Sequence, residues 1–386
     1  TRMEFIPSKG AFRAGAVAAT QWDDSNIGFY SFATGGDTKA SGSYSAAFGD
    51  RTIASGASSF VTGALSGAND KIEASGTATF AGGFTTCSGC VYGAKGEITA
   101  SGLGTFSYGY ALGSGAGGIL SQGYIRSSGH GSIALGYAAG DTSAGSVNAL
   151  LQSTGNGSIA LGYASGGNKL QATGTASVSI GQDVQTTANN AFALGKGFTN
   201  NVASSFSLGF GSQQFTLVGS NGSVGIGTTT PASKLDVWGN LRVGTSSTPT
   251  LFAKTGNGRV GIGTTNPDYE LSILPSASAG GLSIRQSNNG ADAVVLHGYA
   301  GNGMIEVNNG GTSIVKLDGG TSSYFNGFNV GIGTTTPAKT LSVAGDVRIT
   351  GALYGSNNSA GSNGYVLNST GTGFQWVATS SLGFVT

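Results

Sequence analysis

Short runs of alternating apolar and small residues, each closed by a glycine, recur between residues 30 and 209. Residues 158–162 read Ser-Ile-Ala-Leu-Gly, and residues 205–209 read Ser-Phe-Ser-Leu-Gly. Alternation with a period of two is typical of a strand that buries one face. We therefore predict that the residue three before each glycine belongs to a buried core ladder. The ten positions are Phe32, Ala46, Phe60, Phe80, Phe106, Ile133, Ile159, Val178, Phe192 and Phe206, and nine of the ten are large and apolar.

The spacing between the closing glycines swells and then shrinks. From Gly35 to Gly209 the successive intervals are 14, 14, 20, 26, 27, 26, 19, 14 and 14 residues. A segment added to one strand needs a similar segment above and below it to pair its backbone groups. The symmetric swelling therefore predicts ten stacked coils of a β-solenoid that is widest in its middle.

Two further ladders accompany the long coils. An apolar residue four positions before the glycine of an inner Ser-Gly or Thr-Gly step predicts an insertion ladder: Ile72, Ile98, Ile125, Leu151 and Leu170. In the short coil that ends at Gly63 the matching residue is Thr52. An aromatic residue after the closing glycine forms the third ladder: Phe84, Tyr110, Tyr137 and Tyr163. Stacked aromatic rungs usually serve packing; the alternative is that Tyr110, Tyr137 and Tyr163 face a ligand and stack on glycans.

Five segments follow from these patterns. Residues 1–29 are rich in apolar residues without a repeat, and we predict that they cap the unpaired end of the solenoid. Residues 30–209 form the ten-coil head, and residues 210–222 form a polar connector. Residues 223–354 contain Val-Gly-Ile-Gly-Thr-Thr-x-Pro three times, each copy followed by an alternating strand, and residues 355–386 end in further strands.

The Gly-Ile-Gly-Thr-Thr core of the second repeat invites comparison with a phosphate-binding loop. It lacks the Gly-Lys-Ser/Thr step of such a loop and the third glycine of a dinucleotide fingerprint, and the pattern predicts no helix after it. We therefore predict a structural role, in which the glycines permit close backbone approach and the proline ends the strand.

Candidate chemistry is sparse elsewhere. Cys87 and Cys90 are the only cysteines, and their spacing favours a disulfide or free thiols over a metal site, because zinc requires four ligands. Pairing between chains is a further option. With two histidines and no evident cluster of carboxylates, the sequence predicts no catalytic site, no cofactor and no metal.

Composition sets the remaining limits. A hydrophobic content of 38% with 71 glycines is low for a conventional core, which favours a core shared between chains. The 18 basic and 17 acidic residues form no patch typical of a nucleic-acid binder, and no apolar run reaches the ~18 residues of a membrane span. Because the first residue is Thr1, we expect a processed chain or a piece of a longer one.

The repeat in 30–209, with Ala-Ser-Gly steps at 40–42, 54–56, 74–76 and 100–102, resembles the head repeat of trimeric autotransporter adhesins. The resemblance implies a left-handed parallel β-roll with three chains per head, although the long coils of 26 and 27 residues depart from the short, even coils of that family. The Val-Gly-Ile-Gly-Thr-Thr-x-Pro segments look like those of phage tail fibres and bacterial surface fibres. That second resemblance implies a stem of three intertwined chains.

These observations together predict an all-β homotrimeric fibre with a β-roll head at 1–209 and an interwoven β-prism or triple β-helix stem at 220–386. The predicted function is non-enzymatic: a fibre or filament at the cell surface that mediates attachment. Its partners would be two further copies of itself, end-to-end neighbours, and a receptor or glycan bound by the widened coils, residues 64–180. Alternatives are a virion tail fibre that binds a host receptor and, more remotely, a polysaccharide-cleaving tailspike.

Overall fold

A computed structural model describes residues 1–88, 94–116, 119–140, 148–244, 249–274, 279–285, 292–299, 302–309, 312–320 and 322–383. The chain is all-β, as predicted, and it divides into two compact units, residues 1–241 with 253–258 and residues 242–252 with 259–386. In the described ranges the helical structure consists of three short 3-10 turns, at Thr20–Trp22, Asp24–Asn26 and Thr379–Leu382. No helix in these ranges has the length and apolar character that a membrane span requires.

Two long sheets build the first unit. Sheet A comprises β1 (Arg2–Ile6), β2 (Ala11–Ala16), β3 (Phe32–Gly36), β5 (Ala46–Asp50), β7 (Phe60–Leu65), β9 (Phe80–Ser88), β11 (Phe106–Ala116), β12 (Ile119–Ser121), β14 (Ile133–Ala139), β16 (Ile159–Ser165), β18 (Val178–Gln182), β20 (Phe192–Lys196), β22 (Ser205–Phe210), β23 (Gln213–Val218), β24 (Ser223–Ile226) and β25 (Leu235–Val237). Sheet B comprises β4 (Lys39–Ala40), β6 (Ile53–Ala54), β8 (Lys71–Ala74), β10 (Gly96–Ala100), β13 (Gly123–Ser127), β15 (Ala149–Ser153), β17 (Lys169–Ala172), β19 (Gln185–Thr186) and β21 (Thr199–Asn200). Each coil contributes one strand to each sheet, and successive coils pair in parallel, so the unit is a β-solenoid.

The predicted widening appears as longer strands in both sheets. In sheet A the strands lengthen from five residues in β3 to eleven in β11 and return to five in β20. In sheet B they lengthen from two residues in β4 to five in β13 and return to two in β21. Every lengthened strand has lengthened neighbours, which satisfies the backbone pairing that the glycine spacing required.

Small residues, rather than the predicted core ladder, line the coil interior on the sheet A side. The residue after each ladder position is fully buried: Ala33, Ala47, Val61, Ala81, Ser107, Ala134, Ala160, Ser179, Ala193 and Ser207. The ladder residues lie on the opposite face of the strands and stay partly exposed: Phe60, Phe80, Phe106, Ile133, Ile159, Val178, Phe192 and Phe206. The alternation therefore predicts the strands correctly, but within one chain the inner and outer faces of sheet A are the reverse of those predicted.

The insertion ladder fills the coil interior from the sheet B side. Ile72, Ile98, Ile125, Leu151 and Leu170 are fully buried and stand in register on β8, β10, β13, β15 and β17. Val184 and Phe198, which the sequence pattern did not single out, are buried one and two coils further along. Across the coil, an added Cβ on the closing glycine Gly109 would come within 2.9 Å of Ile125 Cδ1. The interior therefore holds one large side chain per wide coil, and sheet A must supply small residues opposite it.

The N-terminal segment contributes two strands next to the first coil. Strand β1 pairs antiparallel with β2, and β2 pairs in parallel with β3. Arg13 stands in register with Ala33 and is fully buried. Its guanidinium donates hydrogen bonds to the carbonyl oxygens of Ser31 (3.1 Å) and Ala40 (3.0 Å) and to the Ser31 hydroxyl (2.7 Å). Burial lowers the pKa of Arg13 to about 10, while the charge of Glu4 acts in the opposite direction, so Arg13 stays cationic at neutral pH.

Replacing Arg13 by leucine should destabilise this cap selectively. The change removes three charge-assisted hydrogen bonds and leaves the carbonyl oxygens of Ser31 and Ala40 with their backbone donors alone, at a cost of about 3 kcal/mol in local stability. Hydrogen exchange should accelerate in β2–β4 and stay slow in the middle coils. Arg2→Leu is the control, because the Arg2 side chain is 53% exposed. Equal protection in both variants would contradict a capping role for Arg13.

Residues 210–222, expected to be a connector, contain a strand. Strand β23 folds back antiparallel on β22, and β24 pairs antiparallel with β23. The sheet thus continues past the last parallel coil instead of stopping at residue 209.

Beyond β25 the chain forms four small sheets. Their strands are β26 (Leu241–Gly244), β27 (Pro249–Lys254), β28 (Arg259–Ile262), β29 (Leu271–Ile273), then β30 (Ala279–Arg285), β31 (Asp292–Tyr299), β32 (Asn302–Asn309), β33 (Thr312–Asp318), β34 (Tyr324–Phe325), then β35 (Val330–Ile332) with β36 (Leu341–Val343), and β37 (Tyr365–Ser369) with β38 (Phe374–Ala378). Strands β30–β34 form an antiparallel meander, and β37–β38 form a hairpin.

Each copy of the second repeat makes the same small structure. Strand pairs β24–β25, β28–β29 and β35–β36 are parallel and joined by the Thr-Thr-x-Pro segment. The first glycine of the motif faces the following turn: an added Cβ on Gly261 would lie 2.3 Å from the Thr264 carbonyl oxygen. The second glycine, Gly263, has a φ of +75°. Both glycines therefore serve a tight backbone turn, which accounts for the motif without a phosphate.

Candidate binding surfaces

The outer face of sheet A is an apolar surface built from the predicted core ladder. Neighbouring rings stack along it, with centroid separations of 5.4 Å between Phe60 and Phe80 and 4.6 Å between Phe80 and Phe106. The column continues in register through Ile133, Ile159 and beyond. A second column beside it contains Tyr108, Leu135, Leu161, Ile180, Leu194 and Leu208. Because these side chains alternate with the buried small residues, they point away from the coil interior.

The third aromatic ladder lies on this same outer face. Tyr110 and Tyr137 stack with a centroid separation of 5.2 Å, and Tyr137 and Tyr163 stack at 5.1 Å. Phe84 extends the column at 5.4 Å from Tyr110. Burial raises the pKa of Tyr137, and the neighbouring tyrosines Tyr163 and Tyr110 raise it further. The rings pack on one another and remain partly exposed.

The outer face of sheet B is mainly polar, although Tyr124 and Leu150 also face outward. The residue after each insertion-ladder position gives one column, with the members Glu73, Thr99, Arg126, Gln152 and Gln171. Hydroxyl groups border it in the Ser-Gly steps, where Ser75, Ser101 and Ser128 are exposed. The head is therefore amphipathic, with an apolar outer face on sheet A and a polar outer face on sheet B.

Charged residues cluster in the widest part of that polar face. Glu97 lies 2.7 Å from the Lys95 ammonium and 2.9 Å from the Arg126 guanidinium, and its side chain is only 9% exposed. Arg126 also stacks over the Tyr124 ring, 3.9 Å from its centroid. Burial alone would raise the pKa of Glu97, but the hydrogen bond from Lys95 and the charges of Arg126, Lys95 and Lys71 outweigh it and lower the pKa. Glu97 therefore stays ionised at neutral pH.

Glu97 and Arg126 line a groove, which we call the sheet B groove. It has a volume of about 340 Å³ and is lined by Lys71, Glu73, Ser75, Glu97, Thr99, Ser101, Arg126, Ser128 and Gln152. Sequence reasoning missed it, because its members lie about 26 residues apart in the chain. The available signal was the insertion ladder itself, since the charged residues of the groove are direct neighbours of Ile72, Ile98 and Ile125 in the sequence.

The meander presents a second apolar face. Leu282, Leu296, Ile305 and Leu317 stand in register across β30–β33 and are 42–44% exposed. A second row on the same face consists of Ile284, Val294, Val307, Val315 and Phe325. With Leu271 and Ile273, the first row lines an open cavity of about 810 Å³.

The remaining predicted site concerns the cysteines. Cys87 is disulfide-bonded, in keeping with the favoured prediction, whereas Cys90 lies outside the described residues. No group of three or more His, Cys, Asp or Glu side chains suited to a metal ion occurs in the part of the chain that the structure describes.

The chain matches no protein-family model and no curated protein sequence.

Proposed function

We propose that this protein is a non-enzymatic extracellular fibre of three identical chains that mediates attachment at a cell surface. The observation that carries the proposal is the apolar outer face of sheet A. In-register apolar side chains follow this face from Phe12 to Phe206, across eleven strands or about 50 Å. Monomeric soluble proteins rarely expose contiguous apolar patches beyond a few hundred Å².

Three copies of the chain can cover this face, and two asymmetries favour that arrangement. Sheet B directs polar and charged residues outward, so its outer face is suited to contact with solvent, whereas the outer face of sheet A is suited to contact with another chain. The apolar outer face of sheet A repeats once per coil along the solenoid axis. A second copy of the chain has the same rise per coil, so its apolar side chains have the same spacing. Association around an axis would therefore match ring to ring along the whole head.

The C-terminal part of the chain supports the same conclusion. Leu235, Leu271 and Leu341 occupy equivalent places in the three short repeats and are 54–60% exposed. Parallel pairs of three residues with exposed leucines lack a core of their own, and such small sheets are marginal alone. Pooling these side chains between three chains would supply the missing core, as would pooling the apolar faces of the meanders.

The charges of the sheet B groove favour binding over catalysis. A glycoside-cleaving general acid must hold its proton near neutral pH, which requires a raised pKa. The pKa of Glu97 is lowered instead, and Glu73 is paired with Lys71. This supports an attachment surface in the widened coils rather than a hydrolytic site.

Light scattering of the purified chain tests the proposal. We expect a mass near three times 38.0 kDa for the native protein. The double variant Phe106→Glu/Leu296→Glu puts charges on both apolar faces and should reduce the mass to 38.0 kDa. The matched control, Leu150→Glu/Val295→Glu, changes partly exposed residues of sheet B and of the opposite meander face and should keep the larger mass. A native mass of one chain, or an unchanged mass in the first variant, would contradict the trimer.

A further inference from the structure

The charge distribution of the head is uneven. The whole chain has 18 basic and 17 acidic residues among 386, yet four charged residues line the sheet B groove and a fifth forms an ion pair with one of them. They are Lys71, Glu73, Lys95, Glu97 and Arg126, and they come from three successive coils. Charged residues are sparse in the chain as a whole and are clustered at the widest part of the outer face of sheet B.

Stability does not explain this concentration. Desolvating a carboxylate such as that of Glu97 costs free energy that ion pairing often fails to recover, and apolar residues at such positions are commonly as stabilising or more so. Buried ionisable groups that line a cleft are instead typical of functional sites. The surrounding columns of the solenoid are already held by backbone pairing and by the insertion ladder.

Arg126 is positioned as a donor to a ligand. Its guanidinium is fixed on one side by Glu97 and on its face by the Tyr124 ring, while about a third of the side chain stays exposed to the groove. Its side-chain hydrogen bond within the described residues goes from Nη2 to Glu97. A guanidinium carries five N–H donors, so this arrangement leaves donors for a bound molecule without further ordering of the side chain.

The other groups in the groove define the chemistry of that molecule. Carboxylates accept, ammonium and guanidinium groups donate, and the exposed hydroxyls of Ser75, Ser101 and Ser128 do both. Equivalent positions repeat at the strand spacing of ~4.8 Å, which is comparable to the width of a sugar ring. The charges nearly cancel, with three cations and two carboxylates, which disfavours a polyphosphate or nucleic acid as the ligand.

We propose that the sheet B groove binds a linear oligosaccharide, neutral or carboxylated, lying along the solenoid axis across β8, β10, β13 and β15. This inference rests on the proposed attachment function and adds the ligand class and the residues that hold it. Sugar hydroxyls would bridge the carboxylates of Glu73 and Glu97 and the hydroxyl column. Arg126 and Lys71 would donate to ring, hydroxyl or carboxylate oxygens.

Binding of three hexasaccharide probes to the full-length protein tests the proposal: cellohexaose as the neutral probe, oligogalacturonate as the carboxylated probe and a heparin hexasaccharide as the sulfated probe. We expect measurable affinity for cellohexaose, oligogalacturonate or both. Arg126→Gln should weaken it at least about tenfold, because a charged donor is lost. Ser101→Leu, which alters an exposed residue and spares the core, should weaken it similarly by blocking the groove.

Lys39→Gln is the matched control, because Lys39 lies in the same outward column as Arg126 but outside the groove. It should bind like the native protein. Absence of binding to the neutral and carboxylated probes would overturn the proposal, as would binding to heparin alone or equal affinities in all variants. Light scattering on the same samples keeps this outcome separate from the trimer, because groove variants leave the mass unchanged.

Discussion

Substitution of Gly136 by alanine is expected to unfold the middle of the head, whereas the same change at Gly131 should be tolerated. Gly136 has a φ of +144°, and a Cβ added there would lie 1.9 Å from the Gly162 carbonyl oxygen and 2.8 Å from Leu151 Cδ1. Relief of that overlap requires two coils to separate, which breaks their backbone hydrogen bonds. The cost should exceed about 4 kcal/mol.

Gly131 lies in the same coil and is the matched control. It also has a positive φ, +63°, but an added Cβ would meet nothing within 4 Å. Alanine there should therefore cost only the backbone strain of about 1 kcal/mol. Urea unfolding monitored by circular dichroism gives both values. Similar losses at the two positions would show that backbone conformation, rather than close stacking of the coils, explains the closing glycines.

The second large effect concerns Leu151 and its neighbour. Leu151→Ala should destabilise the head by about 2–5 kcal/mol, because Leu151 is fully buried and its removal leaves a cavity in a close-packed coil. Leu150→Ala should cost less than about 1 kcal/mol, since Leu150 faces outward on the same strand, β15. The two variants differ only in which face of the strand loses the side chain.

Thermal and urea unfolding of both leucine variants measures the difference directly. A larger loss for Leu150→Ala would mean that the outer face of sheet B, not the coil interior, carries the packing energy. It would also mean that the insertion ladder does not face the coil interior.

Periodicity in the sequence predicted most of the framework. The closing glycines located the sheet A strands, and the insertion ladder located Ile98 and Ile125 on in-register strands of a second sheet. Alternation and spacing suffice for this because strand pairing couples each coil to its neighbours. The alternating strands predicted after the three short repeats likewise coincide with β25, β29 and β36.

The orientation of the sheet A strands could not be predicted in the same way. Alternation divides Phe106 from Ser107 but does not say which of them faces the coil interior. The preference for burying large residues placed Phe106 inside, yet Ser107 is fully buried and Phe106 is partly exposed. The space opposite is already occupied by the insertion ladder, a fact that depends on the second sheet.

The sheet B groove escaped prediction for a related reason. Glu97 and Arg126 are separated by 29 positions, and local sequence assigns each of them to an ordinary polar strand face. Only the parallel register, which places Glu97 beside Tyr124 and Thr99 beside Arg126, brings the charges together. The alignment of Ile98 with Ile125 already predicts this register. The contact between the charged residues that flank them becomes evident only when the coils are stacked.

The sequence by itself determined the repeat, the widening of the middle coils, the strand positions and the glycines of both turn motifs, because each is a local or periodic property of the chain. The tertiary structure decided which face of sheet A encloses the interior, the folding back of β23 on β22, and the meeting of Lys95, Glu97 and Arg126. These features depend on how much space two facing sheets leave between them and on which distant residues become neighbours. Both are defined only when the coils are stacked and the two sheets face each other.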